Sequence, residues 1–247
     1  MNKTRTSRTI NRLLAIFSSK RINLRDTIPV AIFTFTILTL LAGKQATDRG
    51  QTIIWKLENP NAVGNYQPTI LGNPSIVKDA YGTSLSFNGV NDGLIIPKIP
   101  IEGWKQFTIE VLFKPASDGP VAPRFIHFED KDLNRGTFEA RLTPSGEWYM
   151  DTFLKNGKTN KGLTLIDSTK LHITDRWYWA AMVYDGKKMT SYINGKKELE
   201  GDIDFPSVTG GDIAIGVRLN KVNWFKGQIK EIRFHSKALD TSRMQHL

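Results

Sequence analysis

The stretch from Arg176 to Leu199 reads RWYWAAMVYDGKKMTSYINGKKEL, two apolar runs separated by turn residues. In the first run Trp177, Trp179, Ala181 and Val183 alternate with Tyr178, Ala180, Met182 and Tyr184. Successive side chains of a strand point to opposite faces, so both faces here are apolar or aromatic and the strand belongs in the middle of a sheet. Asp185-Gly186 and Asn194-Gly195 supply the positive φ angles that tight hairpin turns demand. The expected order is therefore strand, turn, strand, turn.

The same period of two recurs outward in both directions. Phe107 to Pro115 puts Phe107, Ile109, Val111 and Phe113 on one face and Thr108, Glu110 and Lys114 on the other. Further strands are expected at residues 52–57, 84–87, 94–96, 125–129, 137–143, 147–154, 212–220 and 228–234, with a weaker one within 163–171. Residues 66–80, which carry Pro68, Gly72 and Pro74, read as loop, and Asp240-Thr241-Ser242 as the cap of a short final helix. Short runs of this kind, with Gly, Pro, Asn and Asp between them and no long helical period, make an all-β fold.

The chain has 247 residues and no cysteine, which excludes disulfides, thiol catalysis and Cys-ligated zinc. Its formal charge is +10, but residues 1–26 hold seven basic side chains against Asp26 alone, which leaves +4 for the rest. Ile28 to Ala42 (IPVAIFTFTILTLLA) follows as an uncharged apolar run. A basic segment before an apolar run of this length is the pattern of an export signal, and it is short of the roughly 20 residues a spanning helix needs. Cleaved signal peptide and retained membrane anchor both remain open. Either delivers the remainder outside the cytoplasm, to a periplasmic, cell-surface or secreted location. The division expected is residues 1–46 for export or anchoring and 47–247 for one large β-sandwich domain.

An aromatic-rich strand, a Tyr-Asp-Gly turn and then Tyr-Ile-Asn-Gly-Lys resembles the central hairpin of laminin-G-like jelly rolls. SLSFNGVNDGLIIP (Ser84 to Pro97), FTIEVLFKP (Phe107 to Pro115) and IAIGVRLNKVNWFKGQIKEIRFHSKAL (Ile213 to Leu239) resemble further strands of the same domains. The resemblance is to the concanavalin A-like lectin/glucanase superfamily, and it implies a two-sheet antiparallel jelly-roll sandwich. Binding, adhesion and hydrolysis all occur on that scaffold, so function must be argued from a site.

Strand parity proposes one. If Phe138, Ala140 and Leu142 face the core, Glu139 and Arg141 face away; if Trp148, Met150 and Leu154 are core, Tyr149 and Asp151 lie outward beside them. His127 alternates with Ile126 and Phe128, while Arg218 and Asn220 fall on the polar side of a strand whose inward residues are Ile213, Ile215, Val217 and Leu219. In one sheet, as the resemblance implies, His127, Glu139, Arg141, Tyr149, Asp151, Arg218 and Asn220 would line a polar concave face suited to a sugar. The plainer account is a solvated face with cross-strand ion pairs. Trp148, Trp177 and Trp179 read as core; Trp224, in a loop-like stretch, is the best candidate for stacking on a sugar ring. Asn91 and Asp92 offer oxygens for calcium, yet two side chains fall short of the six to eight ligands calcium takes, and a turn accounts for them.

Catalytic patterns fit less well. The Glu-x-Asp-x-x-Glu strand of family-16 glucanases is absent, since Glu129-Asp130-Lys131-Asp132 breaks its spacing and Asp202-Ile203-Asp204 lacks flanking glutamates. Phe125-Ile126-His127, Thr137-Phe138-Glu139-Ala140-Arg141 and Tyr149 partly resemble alginate-lyase-like jelly rolls, which would make His127 or Tyr149 a base and Arg141 a charge neutraliser on an acidic polysaccharide. The first Arg and the Gln of that pattern are missing and its strand order is reversed. The four histidines have no metal-binding spacing, and the basic excess, being mostly in the leader, makes no case for nucleic acid. A non-catalytic glycan-binding or adhesion module is the expectation, with the acidic-polysaccharide lyase or hydrolase as its alternative.

Overall fold

A computed structural model describes residues 50–247, and the basic and apolar segments expected at residues 1–46 lie outside the described residues. In chain order the strands are β1 (Thr52–Lys56), β2 (Thr69–Leu71), β3 (Ser75–Asp79), β4 (Gly82–Asn88), β5 (Gly93–Ile96), β6 (Phe107–Pro115), β7 (Arg124–Glu129) and β8 (Arg135–Leu142). They continue as β9 (Glu147–Lys155), β10 (Gly162–Ile166), β11 (His172–Ile173), β12 (Tyr178–Tyr184), β13 (Lys188–Ile193), β14 (Lys196–Asp202), β15 (Asp212–Ile215) and β16 (Lys226–His235). A 3-10 turn at Thr241–Arg243 follows, where the Asp240 side chain accepts from the Ser242 N–H as an N-cap.

Every pairing between these strands is antiparallel, in two eight-stranded sheets. One runs β14-β13-β12-β6-β16-β4-β3, with β1 also on β16; the other runs β10-β9-β8-β7-β15-β5-β2, with β11 also on β9. The fold is the all-β sandwich expected. The aromatic strand β12 lies between β6 and β13, as its two apolar faces require. Asn194 and Gly195 both take positive φ (48° and 73°) at the turn between β13 and β14, the conformation that Asn-Gly tolerates and β-branched residues do not.

Two expectations need correcting. Residues 66–80 are not plain loop: β2 and β3 fall there, each held by one neighbour, β5 and β4 respectively. Short exposed edge strands gain their order from that ladder rather than from an apolar face, so they carry little period-two signal. The strand expected over 212–220 stops at Ile215, because Gly216 has φ +78° and a Cβ there would lie 2.5 Å from the Phe87 ring.

The inward faces meet in one continuous core. Phe113 of β6 stacks on Phe125 of β7 across the sandwich (centroids 4.2 Å apart, planes 8°), and Trp148 of β9 meets Phe113 edge-on at 5.1 Å. Burying each such side chain is worth roughly 1.5–3 kcal/mol. Trp148 and the inward side chains of β12 are core, as parity requires. The outer face of β12 buries too: Trp177 and Trp179 cluster with Leu112, and Val183 with Leu239 and Met244.

Candidate functional site

The outward side chains of β7, β8, β9 and β10 surround a hollow of about 230 Å³ on the second sheet. Gly136, Phe138, Ala140 and Leu142 of β8 turn inward, which sends Arg135, Thr137, Glu139 and Arg141 out. On β9, Asp151 and Phe153 face out and Trp148, Met150 and Leu154 in. Register sets Glu139 directly opposite Asp151. Like charges opposed in this way need a cation between them. Arg141 provides it, with Nη2 2.8 Å from Asp151 Oδ2 and Nε 2.6 Å from Glu139 Oε1.

Arg124 makes the second contact to Glu139, its Nη2 lying 3.1 Å from Oε2. Alternation from His127 would turn Arg124 toward the core. A β-bulge between Arg124 and Ile126 adds one residue, Phe125, so that Arg124 faces Glu139 while Ile126 faces Phe138 and His127 faces Thr137. Arg135 joins the lining as well, its guanidinium 5.2 Å from the centre of the Phe153 ring and 3.8 Å from Glu129. Thr164 of β10 closes the far side.

Arg218 enters from the loop after β15. That loop is clamped to the start of β7: Gly216 N–H donates to Phe125 C=O (2.9 Å), Arg124 N–H to Asn223 C=O (2.9 Å), and the Arg124 guanidinium bonds the Asn223 side chain. A tight turn follows, with Lys221 N–H on Arg218 C=O at 2.8 Å. Arg218 makes no ion pair among the described residues. Of the eight residues selected from sequence, the hollow gathers His127, Glu139, Arg141, Asp151 and Arg218. Tyr149 shares the outward parity of Asp151 but lies outside the lining, Asn220 is exposed in the turn, and Trp224 is half-buried beyond it. Asn220 was placed by continuing a strand that ends at Ile215, and Trp224 was chosen for its loop-like surroundings.

His127 is the unusual member. It is 2 % exposed, and neither ring nitrogen has a hydrogen-bond partner among the described residues. Burial, then the positive charges of Arg218, Arg135 and Arg124, pushes its pKa down to about 3, so the imidazole is neutral at pH 7. Glu139 moves the other way: burial and Asp151 raise it, against the pull of Arg124 and Arg141. Four guanidiniums, two carboxyls and a neutral imidazole therefore leave the lining positive.

A family model of the laminin G type, described as the concanavalin A-like lectin/glucanases superfamily, matches residues 88–244, well over half the chain. The chain belongs to that superfamily. The fold of this concanavalin A-like protein is shared with solved structures at low identity. Domain 4 of AbnA, a GH43 extracellular arabinanase from Geobacillus stearothermophilus, solved with arabinotriose, is 22% identical with a TM-score of 0.60 over 79% of this chain and 97% of that one. The receptor binding domain of botulinum neurotoxin D is 15% identical with a TM-score of 0.54 over 77% of this chain. A serotype D ligand binding domain in complex with N-acetylneuraminic acid is 15% identical with a TM-score of 0.56 over 79%. The chain spans about half the length of these toxin domains. No curated protein matches it by sequence.

At the turn where calcium was considered, the concanavalin A-like chain uses its oxygens internally. Asp92 Oδ1 accepts from Asn73 N–H (2.8 Å) and Oδ2 from Asn88 N–H (3.0 Å), while Asn88 Oδ1 takes the N–H groups of Val90, Asn91 and Asp92. Among the described residues no group of three or more acidic, His or Cys side chains could hold a metal, and no helix is long and apolar enough to cross a membrane.

Proposed function

We propose that the protein is an exported, non-catalytic glycan-binding module whose ligand seat is the arginine-lined hollow over β7–β10, and that its ligand is an acidic sugar. The observation that carries this reading is the surplus of guanidinium over carboxylate there, with Arg218 unpaired. Arg presents a planar fork of donors that matches a carboxylate. The Phe153 ring adds an apolar wall for a sugar face, and Thr137 and Thr164 add hydroxyls for polar contacts. At about 230 Å³ the hollow is smaller than the roughly 300–1,000 Å³ of drug-sized sites, which suits one sugar unit. Neighbours of the same fold solved with arabinotriose and N-acetylneuraminic acid support a carbohydrate ligand. The basic segment and the apolar run Ile28 to Ala42 support export, as cleaved signal or as anchor.

The test is a glycan array probed with wild type and with Arg218→Ala. Signal on acidic glycans that falls in the variant is expected; equal signal from both removes the hollow as the seat. A second reading, a lyase acting on an acidic polysaccharide, draws on the arginines of the hollow, which are able to neutralise a uronate, but the buried His127 imidazole, pushed down to about 3, is a weak base at pH 7. Tyr149, the other base considered, does not line the hollow. Incubation with uronate polymers followed by ultraviolet absorbance separates the two, because a lyase generates unsaturated ends and a binding module does not.

A further inference from the structure

The outward face of β9 continues past the hollow. Directly paired residues of antiparallel strands share a face, and so do residues two apart on one strand. The outward column of β9 is therefore Phe153, Asp151, Tyr149 and Glu147. β8 sets Thr137, Glu139 and Arg141 beside the first three, while the edge strands set Thr164, Ile166 and Ile173 beside Phe153, Asp151 and Glu147. Phe153 and Asp151 line the hollow, and Tyr149 follows about 7 Å further along. Ile166 and Ile173 lie diagonal to it, 44% and 50% exposed.

Tyr149 is half-buried, and among the described residues its side chain has no hydrogen bond, no stacked aromatic ring and no cation over it. Its cross-strand neighbour Arg141 turns away from it to Glu139 and Asp151. Phe153, the other outward aromatic of β9, already carries the Arg135 guanidinium. A bare aromatic ring flanked by two exposed isoleucines is an apolar shelf on which the C–H face of a sugar ring can stack. Charge decides which sugar. The Arg141 guanidinium is bound by two carboxylates, and the outward charge beyond Tyr149 is the Glu147 carboxylate, so an acid group here would find no free cation.

We infer that the seat takes a two-unit glycan, an acidic sugar in the hollow joined to a neutral sugar whose apolar face lies on Tyr149 and Ile166. This rests on the acidic-sugar reading of the hollow and adds the order of units, acid beside neutral. A chain running the other way, past Phe153 toward Arg135 and Lys155, would favour a run of uronates instead.

Calorimetric titration of the full chain compares each acid with a disaccharide that carries it: glucuronic acid with glucuronosyl-xylose, N-acetylneuraminic acid with sialyl-galactose, and galacturonic acid with digalacturonic acid. In at least one of the two mixed pairs the disaccharide is expected to bind about tenfold more tightly than its acid, with no more than about a twofold gain for digalacturonic acid. Tyr149→Ala should bring the mixed ratio close to one, and Tyr149→Phe, which keeps the ring, should preserve it. Ile166→Ser, at an exposed position, should lower the ratio about threefold and keeps the test decisive should Tyr149→Ala fail to fold. Acids that bind with no gain in either mixed pair, or a gain that survives in Tyr149→Ala, overturn the inference and leave the acidic-sugar reading standing. An equal gain for digalacturonic acid overturns it in favour of a uronate run. No binding of any acid or disaccharide removes that reading and the inference with it.

Discussion

The outward faces of the two sheets both carry a histidine and a buried glutamate, yet use them in opposite ways. On the first sheet His235 Nε2 lies 2.9 Å from Glu110 Oε2 and its Nδ1 3.0 Å from Thr52 Oγ1, while Glu110 Oε1 takes the Gln245 N–H at 2.7 Å. Cations there act as lids: Arg233 sits 5.2 Å from the Trp179 ring and Lys114 5.4 Å from Trp177. On the second sheet His127 has no partner and Arg218 no counter-charge among the described residues. A polar face closed on itself contributes to the fold, whereas one that is left open forgoes stability and keeps its groups free for a ligand.

The contrast can be broken from either side. Trp179→Ala on the closed face should cost about 3–5 kcal/mol in chemical denaturation and leave sugar affinity unchanged. Glu110→Ala should cost about 2 kcal/mol by leaving the Gln245 N–H and His235 unanswered, again without touching binding. On the open face the signs reverse. Arg218→Met should lose roughly tenfold or more in affinity for a sugar acid while stability stays within about 0.5 kcal/mol. His127→Leu should raise stability, by about 1 kcal/mol, because two unpartnered nitrogens leave the interior.

The same residue gives the comparison a pH dependence. The folded pKa of His127 lies near 3, below the ordinary 6.5, so the unfolded chain binds the proton more readily. Its contribution is fully present above pH 6.5 and is lost progressively as pH falls toward 3. Glu139, raised by burial, acts in the opposite sense as pH falls through its folded value. Stability of wild type minus that of His127→Leu, measured across pH 3–7, isolates the imidazole: the difference should widen against wild type on acidification and flatten above about pH 6.5.

Much of this was legible as alternation. β6 was readable to the residue, and Glu139, Arg141 and Asp151 followed from the inward Phe138, Ala140, Trp148 and Met150 on neighbouring strands. Parity is a local rule, however, and one extra residue defeats it: the bulge at Phe125 reverses Arg124, which no pattern in RFIHFE announces. Arg135 was overlooked because β8 begins two residues before its first β-branched side chain, Thr137. Arg218 was selected from an extended strand that Gly216 interrupts, and it reaches the hollow from a turn instead, while Asn220 and Trp224, chosen on the same reasoning or for loop exposure, do not. The open His127 could be counted as outward from sequence, but its lack of partners depends on what β8, β15 and the loop bring near it.

The most direct measurement compares the two histidines within one sample. Long-range ¹H–¹⁵N spectra of the imidazole rings, recorded as a sugar acid is titrated into the full chain, should show the His127 ring signals shifting to saturation while those of His235 stay fixed. Saturable binding with the His127 nitrogens unmoved would contradict the claim that this open face is the ligand seat.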